Sequence, residues 1–588
     1  MSKATPMSTG SRKTPWQLWL FGGVLAVYLA VLLAPTFIEP GLTLFDRFPL
    51  IQAALQHPLA LTWTPITLKT ILIMLAAYAL AVLLFISSRK NTRRGAEHGS
   101  AKWTSPKALN RRFEDRSDGD ANLLLSDLLR LGFNGRKTKR NLNVCVIGGS
   151  GTGKTRFYVM PNGLQAAGNY VILDPKGENL RMLGGLLTEQ GYSVRVFDIK
   201  TPATSFGYNP FAYLRDDQDA VSLANNLQRA IKPKNSTITD PFWEDSARAL
   251  LSALILYVMH ELPPHEQSWL TVIQLLNLHA NNDDDNARSP LDLIFEELEA
   301  RDPYSFAATL WHAYKHAGTG KTAQSVAVVA AITMAPLAEP VIASMMRTDE
   351  LALEDLATEK VALFICTNDA DPSLNFLANM LYTQLFQRLN ACADNAPRGR
   401  LPQLVQFLMD EFANIALPLE FEYFLATCRG RNMGVSIILQ SLSQLNRLFD
   451  KSWQSVLGQC DTVLYLGSNE NETNDYISKM LGKETLDTNT YSLQRGARGH
   501  YTKSDQQTGR ELLTPDELRT LDNDVGICLI RGESPVLDRK YPLTKHPRYN
   551  RTGDATGAPY DYAARSEFLL GDLPCYRQRI GPFTLYTA

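Results

Sequence analysis

Residues 148–155 read Gly148-Gly149-Ser150-Gly151-Thr152-Gly153-Lys154-Thr155, directly behind the apolar run Asn143 to Ile147. The run reads as a buried strand, and the glycines behind it as a tight turn into a helix. Such a turn lets successive backbone N–H groups converge on phosphate oxygens, while Lys154 reaches the terminal phosphates and the Thr155 hydroxyl can ligate Mg²⁺. A nucleoside triphosphate is the ligand this pattern selects. Gly318-Thr319-Gly320-Lys321-Thr322 repeats the G-K-T ending, but Lys315 stands where the first glycine is needed and Leu310 to His316 reads as helix. That second stretch is expected to be a loop.

A chain of 588 residues exceeds a single core, so two or three domains are expected. Lys and Arg number 59 against 60 Asp and Glu, so any nucleic-acid surface must be local. Seven cysteines without a C-x-x-C pair read as buried thiols of a reducing compartment.

Two uncharged stretches, Trp16 to Leu33 and Thr70 to Ser88, have the length and apolarity of membrane spans and predict transmembrane helices over about 16–34 and 68–88. Lys3, Arg12 and Lys13 precede the first, and Arg89, Lys90, Arg93 and Arg94 follow the second. The loop between them carries Arg47 and Lys69 against Glu39 and Asp46. This bias predicts both termini in the cytoplasm, residues near 36–68 on the far side, and the phosphate loop in the cytosol on a tethered domain.

Apolar runs alternate with helical stretches from Asn143 onward. Leu142 to Ile147, Tyr170 to Leu173, Ser193 to Phe197, Val361 to Cys366, Leu404 to Met409, Val435 to Leu439, Thr462 to Leu466 and Ile527 to Ile530 are the expected strands of a mostly parallel sheet covered on both faces. The interval from Asp216 to Met346 contains no strand pattern. Its clearest helix has Asp240 as N-cap, Pro241 at the first turn and an apolar face from Phe242 to Leu262, with polar breaks at Asn281 to Ser289 and Ala317 to Thr322. It reads as an inserted all-α domain whose histidines serve the surface or helix caps. The expected organisation is a membrane anchor over 1–98, a discontinuous nucleotide-binding domain over 99–215 and 347–545, the all-α domain over 216–346, and a peripheral tail over 546–588.

Hydrolysis needs a second element, and Leu404 to Met409 ends in Asp410-Glu411. Asp410 would join the Mg²⁺ shell with Thr155, and Glu411 would polarise the attacking water as general base. Downstream, Arg429 and Arg431 could stabilise transition-state charge, and Gln440 at a strand end could sense the γ-phosphate.

These motifs resemble the type IV secretion coupling proteins, the TraG-like conjugative DNA-transfer ATPases. The likeness runs from Gly99 to about Pro547. It rests on Gly99-Ser100-Ala101-Lys102-Trp103, the phosphate loop, Leu173-Asp174-Pro175-Lys176-Gly177-Glu178, Asp240-Pro241-Phe242-Trp243, Asp410-Glu411-Phe412, Gln440-Ser441-Leu442-Ser443-Gln444-Leu445 and Leu513-Thr514-Pro515-Asp516-Glu517. The resemblance implies a RecA-like P-loop domain with an inserted all-α domain, anchored in the bacterial inner membrane by two transmembrane helices and active as a homo-oligomer, a hexamer. It implies ATP and Mg²⁺ as cofactors, and as partners DNA with a relaxase, secreted effector proteins, or both, together with the secretion channel. Carried onto this chain, Lys154, Glu411 and Gln440 are catalytic, and Arg431, with Arg429 second, acts across a subunit boundary. The roles of Asp174 and Lys176 stay open. Arg136, Lys137, Lys139 and Arg140 form a local basic cluster. A chromosome-segregation DNA pump and a non-hydrolysing membrane receptor are the competing readings; the Asp174 to Glu178 run counts against the first and Glu411 against the second.

Overall fold

The computed structural model describes residues 16–39, 41, 43, 45–87, 98–231, 241–280, 289–317, 321–368, 371–415, 421–493 and 501–562. The chain divides into two compact units, residues 1–100 with 485–509, and residues 101–484 with 510–588.

In the first unit, Trp16–Leu33 and Thr67–Ser87 are helices long and apolar enough to cross a membrane. They run side by side in opposite directions: the Tyr78 hydroxyl donates to the Trp19 carbonyl at 2.7 Å, and Trp19 meets Phe85 edge to face at 5.6 Å. Gly22 makes this approach possible, since a Cβ there would lie 2.6 Å from the Tyr78 hydroxyl. Between them, Arg47 is buried and donates to the carbonyls of Thr36 and Glu39, each at 2.7 Å. The flanking cations Lys3, Arg12, Lys13, Arg89, Lys90, Arg93 and Arg94 lie outside the described residues.

The second unit is organised by a nine-stranded sheet. Its strands are β1 (Val144–Ile147), β2 (Asn169–Leu173), β3 (Ser193–Asp198), β4 (Val361–Cys366), β5 (Val405–Met409), β6 (Met433–Leu439), β7 (Thr462–Tyr465), β8 (Val525–Ile530) and β9 (Val536–Arg539). They lie in the order β9-β8-β7-β1-β6-β5-β2-β4-β3. β8 alone runs against the direction of the other eight strands, pairing antiparallel with β7 and β9. All eight expected strands are present within two residues of their expected ends. β9, the small pair Asn122–Leu124 with Arg130–Gly132, and the two-stranded ribbon Lys483–Leu493 with Tyr501–Glu511 were not expected.

Strand alternation distributes the core to both faces of the sheet. Val144 and Val146 pack with Tyr158 and Leu183 on one side, whereas Cys145 and Ile147 join the core that continues through Leu254, Trp311 and Leu381 on the other. That second core runs without interruption into the helical insertion. There, helices span Asp217–Ile231, Pro241–Glu261, Trp269–Ala280, Pro290–Arg301, Phe306–Ala317, Lys321–Met334 and Pro340–Met345. Pro241–Glu261 is central, packed against the Asp217–Ile231, Trp269–Ala280, Phe306–Ala317 and Lys321–Met334 helices. Asp240, 281–288 and 318–320 lie outside the described residues. Ser289 caps the next helix in a reciprocal capping box with Asp292. Lys321 and Thr322, expected in a loop, instead open the helix Lys321–Met334.

The expected peripheral tail is corrected over 546–562. His546 and Thr552 are buried, Arg548 donates to the carbonyls of Leu164 and Gln165 and pairs with Asp120, and the Tyr560 N–H donates to the Arg181 carbonyl at 2.9 Å. Glycine makes this docking possible, because a Cβ at Gly184 would collide with the Tyr560 ring. A Gly- and Tyr-rich stretch without periodicity thus packs by close backbone approach.

Phe407, fully buried on β5, stands edge to face with Phe386 at 5.6 Å and Phe424 at 5.3 Å. Phe407→Ala is expected to cost about 3–5 kcal/mol, read as a lower melting temperature of the full chain in detergent or nanodiscs; an unchanged melting temperature contradicts this placement of the core.

Candidate functional site

The site lies at the carboxyl ends of β1, β6 and β5. Gly148 leaves β1 with its N–H on the Leu439 carbonyl at 3.0 Å, and the Gly149 N–H donates to the Gly467 carbonyl at 2.8 Å. Gly151 and Gly153 both have φ +79°, a conformation side chains resist, so the loop can curl back over itself. Thr152 closes the curl, its hydroxyl donating to the Gly149 carbonyl at 2.8 Å. The helix behind the loop starts with the π-turn Thr155–Val159 and continues as Met160–Leu164.

Lys154 is buried, and its ammonium donates to the carbonyls of Gly148 at 2.7 Å and Gly149 at 3.2 Å. Burial holds its pKa below the ordinary lysine range, opposed by the nearby Asp410 and Glu411 charges. Thr155 Oγ1 donates to Asp410 Oδ2 at 2.5 Å, across 255 residues of sequence. Asp410 is buried at the end of β5, which raises its pKa. Two oxygen donors from separate motifs therefore meet at one point beside a lysine, a donor set suited to Mg²⁺ and a triphosphate.

Glu411 adopts a left-handed backbone, φ +48°, and its N–H donates back to Asp410 Oδ1 at 3.0 Å. Its carboxylate pairs with Lys176 Nζ at 3.3 Å and accepts from the Asn414 amide at 3.0 Å. Sequence reasoning left Lys176 without a role; here it meets Glu411. Asp174, also left open, is buried and accepts from the Leu180 N–H at 2.8 Å and the Asn179 amide at 3.3 Å, tying the loop after β2 to the helix Glu178–Glu189. Gln440 follows β6, its N–H donating to the Gln444 side chain at 2.9 Å. The Leu439 carbonyl before it takes the Gly148 N–H, which sets the Gln440 backbone beside the first loop glycine.

Lys540, just after β9, was missed. It is buried, donates from Nζ to the Thr152 carbonyl at 3.0 Å, and lies 5.5 Å from the centre of the Phe157 ring. Burial brings its pKa down to about 8. No local pattern in the sequence points to it, because its partner is 388 residues away.

Arg429 and Arg431 are not brought to this site. They end the helix Phe421–Arg431 and precede β6, so they lie at the opposite ends of the strands from the phosphate loop. Arg431 is held by Asp394 at 2.9 Å. Arg429 is exposed and lines a cavity of about 240 Å³ with Arg136, Arg140 and Arg400, and among the described residues no carboxylate lines it. Among the histidines of the helical insertion, His279 is a packing residue. It bonds the hydroxyls of Tyr314 at 2.7 Å and Ser289 at 3.1 Å, and burial lowers its pKa to about 4.

A parallel sheet with a phosphate loop at one strand end and paired carboxylates two strands away defines a P-loop nucleotide-binding domain of RecA-like fold. The family model described as "Type IV secretory system Conjugative DNA transfer" matches residues 105–551, and the chain belongs to that family. The conjugal transfer protein TraG of Agrobacterium fabrum is 25% identical over 446 residues, 71% of this chain and 64% of that protein. The chain thus spans just under two thirds of that relative. VirD4 of Rhizobium radiobacter is 28% identical over 205 residues, 34% of this chain and 29% of that protein. The plasmid coupling protein TrwB, solved in complex with ADP and Mg²⁺, shares the fold with a TM-score of 0.53 at 16% identity, over 75% of this chain and 94% of that one.

Burial lifts the Asp174 carboxyl to about 6, above the ~4 of an aspartate in an unfolded chain. Between those values the native state holds a proton that the unfolded chain has released, so stability falls as pH rises through that window. Asp174→Asn keeps an acceptor for Leu180 and is expected to raise the melting temperature at pH 7.5, by up to ~3 kcal/mol of stability, with the gain vanishing near pH 4. An equal difference at both pH values contradicts this origin.

Proposed function

We propose that this chain is a membrane-anchored ATPase that acts as the coupling protein of a type IV secretion system, passing conjugative cargo to the channel. The observation that carries it is the meeting of Thr155 and Asp410, with Glu411 next in sequence, behind a complete phosphate loop. Lys154 and the loop N–H groups bind the phosphates of ATP; Thr155 and Asp410 hold Mg²⁺, which supplies charge neutralisation at the transferring phosphoryl group. Glu411 accepts the proton of the attacking water, and its pairing with Lys176 holds the carboxylate at the end of the loop after β5. Gln440 senses the terminal phosphate from the end of β6. The complexes of TrwB with ADP and Mg²⁺ support the choice of ligands.

The arginine acting in trans is reassigned. Arg431 is engaged by Asp394 in its own chain, whereas Arg429 is exposed among arginines without a lining carboxylate. From the amino ends of the strands it can reach only the nucleotide of a neighbouring copy, which fits a hexameric ring. The family description and the names of the conjugal transfer protein TraG and the conjugative coupling protein TrwB concern conjugation and favour DNA, with its relaxase, over effector proteins as cargo. The two apolar helices and the flanking cations support an inner-membrane anchor with both termini cytoplasmic.

Full-length protein in nanodiscs is expected to hydrolyse ATP. Lys154→Ala and Glu411→Gln should each reduce turnover by about 10² or more, Glu411→Gln with retained ATP binding. If all three proteins are equally inactive with DNA present, the motor reading fails and the non-hydrolysing receptor stands. Stimulation by DNA should fall steeply with added salt; stimulation that ignores salt argues for protein cargo.

Arg429→Ala should abolish turnover while Arg431→Ala retains it. Mixing Arg429→Ala with Lys154→Ala subunits should restore activity, because a mixed interface joins the intact loop of one copy to the intact arginine of the other. No restoration contradicts action in trans.

A further inference from the structure

We infer that the connection between the two apolar helices, residues 45–63, is seated in the outer leaflet of the bilayer, with its short helix Phe48–Gln56 lying among lipid acyl chains at the interface. The inference rests on the reading of Trp16–Leu33 and Thr67–Ser87 as membrane spans with both termini cytoplasmic. A connection of this kind is ordinarily polar and lies in water. Here Phe45 is 90% exposed, Leu59 92% and Trp63 72%, and no residue of the helix Phe48–Gln56 is buried. The patch continues into Leu68 and Leu72, exposed at the start of the second span, so one apolar solvent covers both.

Helical periodicity sets Phe48, Leu50, Ile51, Ala54 and Leu55 on one side of the short helix and Gln52, Ala53 and Gln56 on the other. Acyl chains suit the first side and headgroups the second. Beyond the helix the chain folds back onto the first span. The Tyr28 hydroxyl donates to the Pro58 carbonyl at 2.5 Å, and Tyr28 lies five residues inside the helix end at Leu33, about 7.5 Å along the axis. An interfacial helix sinks ~5–10 Å into the boundary between headgroups and acyl chains, and the tether holds residues 57–59 at such a depth. Lipid also demands that backbone donors be satisfied within the chain. The N–H groups of His57, Ala60 and Leu61 donate to the carbonyls of Ala54, His57 and Leu59, and Pro58 has none to satisfy. The charges before the helix are engaged as well. Arg47, bonded to the carbonyls of Thr36 and Glu39, lies over the Phe37 ring at 5.2 Å, and Asp46 accepts from the Thr43 N–H at 3.0 Å and hydroxyl at 2.5 Å.

Full-length protein in nanodiscs is given a nitroxide label, one site at a time, through Phe48→Cys, Leu55→Cys, Gln56→Cys, Leu59→Cys or Leu80→Cys, with the parent protein treated alike as background for its own cysteines. Collision with oxygen, which concentrates in lipid, is compared with collision with a water-soluble nickel chelate. Labels at positions 48, 55 and 59 are expected to favour oxygen, and the label at position 56 the chelate. Preference for the chelate at all four places the segment in water, and protection from both reagents at 48, 55 and 59 means that a second copy covers it; either result overturns the proposal. Leu80 is exposed on the second span, and a label there that favours the chelate defeats the membrane-span reading itself. Tyr28→Phe removes only the hydroxyl. It is expected to shift the label at position 59 toward the chelate and leave the label at position 80 unchanged; no shift at 59 overturns the tethered depth.

Discussion

The contact between Thr155 and Asp410 depends on one constraint, the insertion of β6 between β1 and β5. Parallel pairing sets Ile147 beside Leu439 and Met409 beside Ile437, so the ends of all three strands reach nearly the same level. Neighbouring strands stand about 4.8 Å apart, which leaves β1 and β5 separated by roughly twice that distance. The glycine-rich loop must bridge the gap, and its left-handed turns at Gly151 and Gly153 bring Thr155 across β6 to the carboxylate. Gln440 ends in the bridged space for the same reason. A shift of one residue in the β6 pairing would exchange its two faces and move Gln440 out of line.

That geometry confines ionisable groups where water is scarce. Lys154, Asp174, Asp410 and Lys540 are all buried within the loops that end the strands. A buried charge is tolerated only when hydrogen-bonded or paired. Each is accordingly engaged: Lys154 and Lys540 by loop carbonyls, Asp174 by the start of a helix, Asp410 by Thr155 and by the Glu411 N–H. The carbonyls that hold Lys154 are those of the loop itself, so a competing phosphate exchanges one set of oxygens for another without leaving the ammonium unsatisfied. Glu411 differs, being held from outside the loop by Lys176 and in a strained backbone conformation.

How much of this was legible in the sequence follows from burial. Parallel strands covered on both faces must be apolar at every position, and runs such as Val361–Cys366 and Leu404 to Met409 announce themselves. β9 carries Asp538 and Arg539 on an edge, and nothing in Val-Leu-Asp-Arg separates it from a turn. Phosphate loop and carboxylates were readable because their chemistry fixes residue type at fixed spacing. Lys176 with Glu411, Arg431 with Asp394 and Lys540 with Thr152 were not, since each pairs residues from distant segments and depends on the sheet order. The stretch after Tyr541 was misjudged for another reason. Its packing relies on glycines at Gly184 and Gly553 admitting close neighbours, a signal with no periodicity.

The sheet is chemically polar along its strands. At the carboxyl ends lie a phosphate-binding loop and a carboxylate pair; at the amino ends of β1 and β6 four arginines line a cavity to which the described residues bring no carboxylate. Within one chain these ends are separated by the length of the strands and cannot act on the same ligand. Two copies related by a dyad would place like surface against like, setting arginines against arginines. Head-to-tail contact instead sets the arginine end of one copy against the phosphate end of the next, and a heterologous interface of that kind closes into a ring when the rotation permits. The triphosphate would then be the charge that joins neighbours, so its hydrolysis would weaken the interface as well as the site.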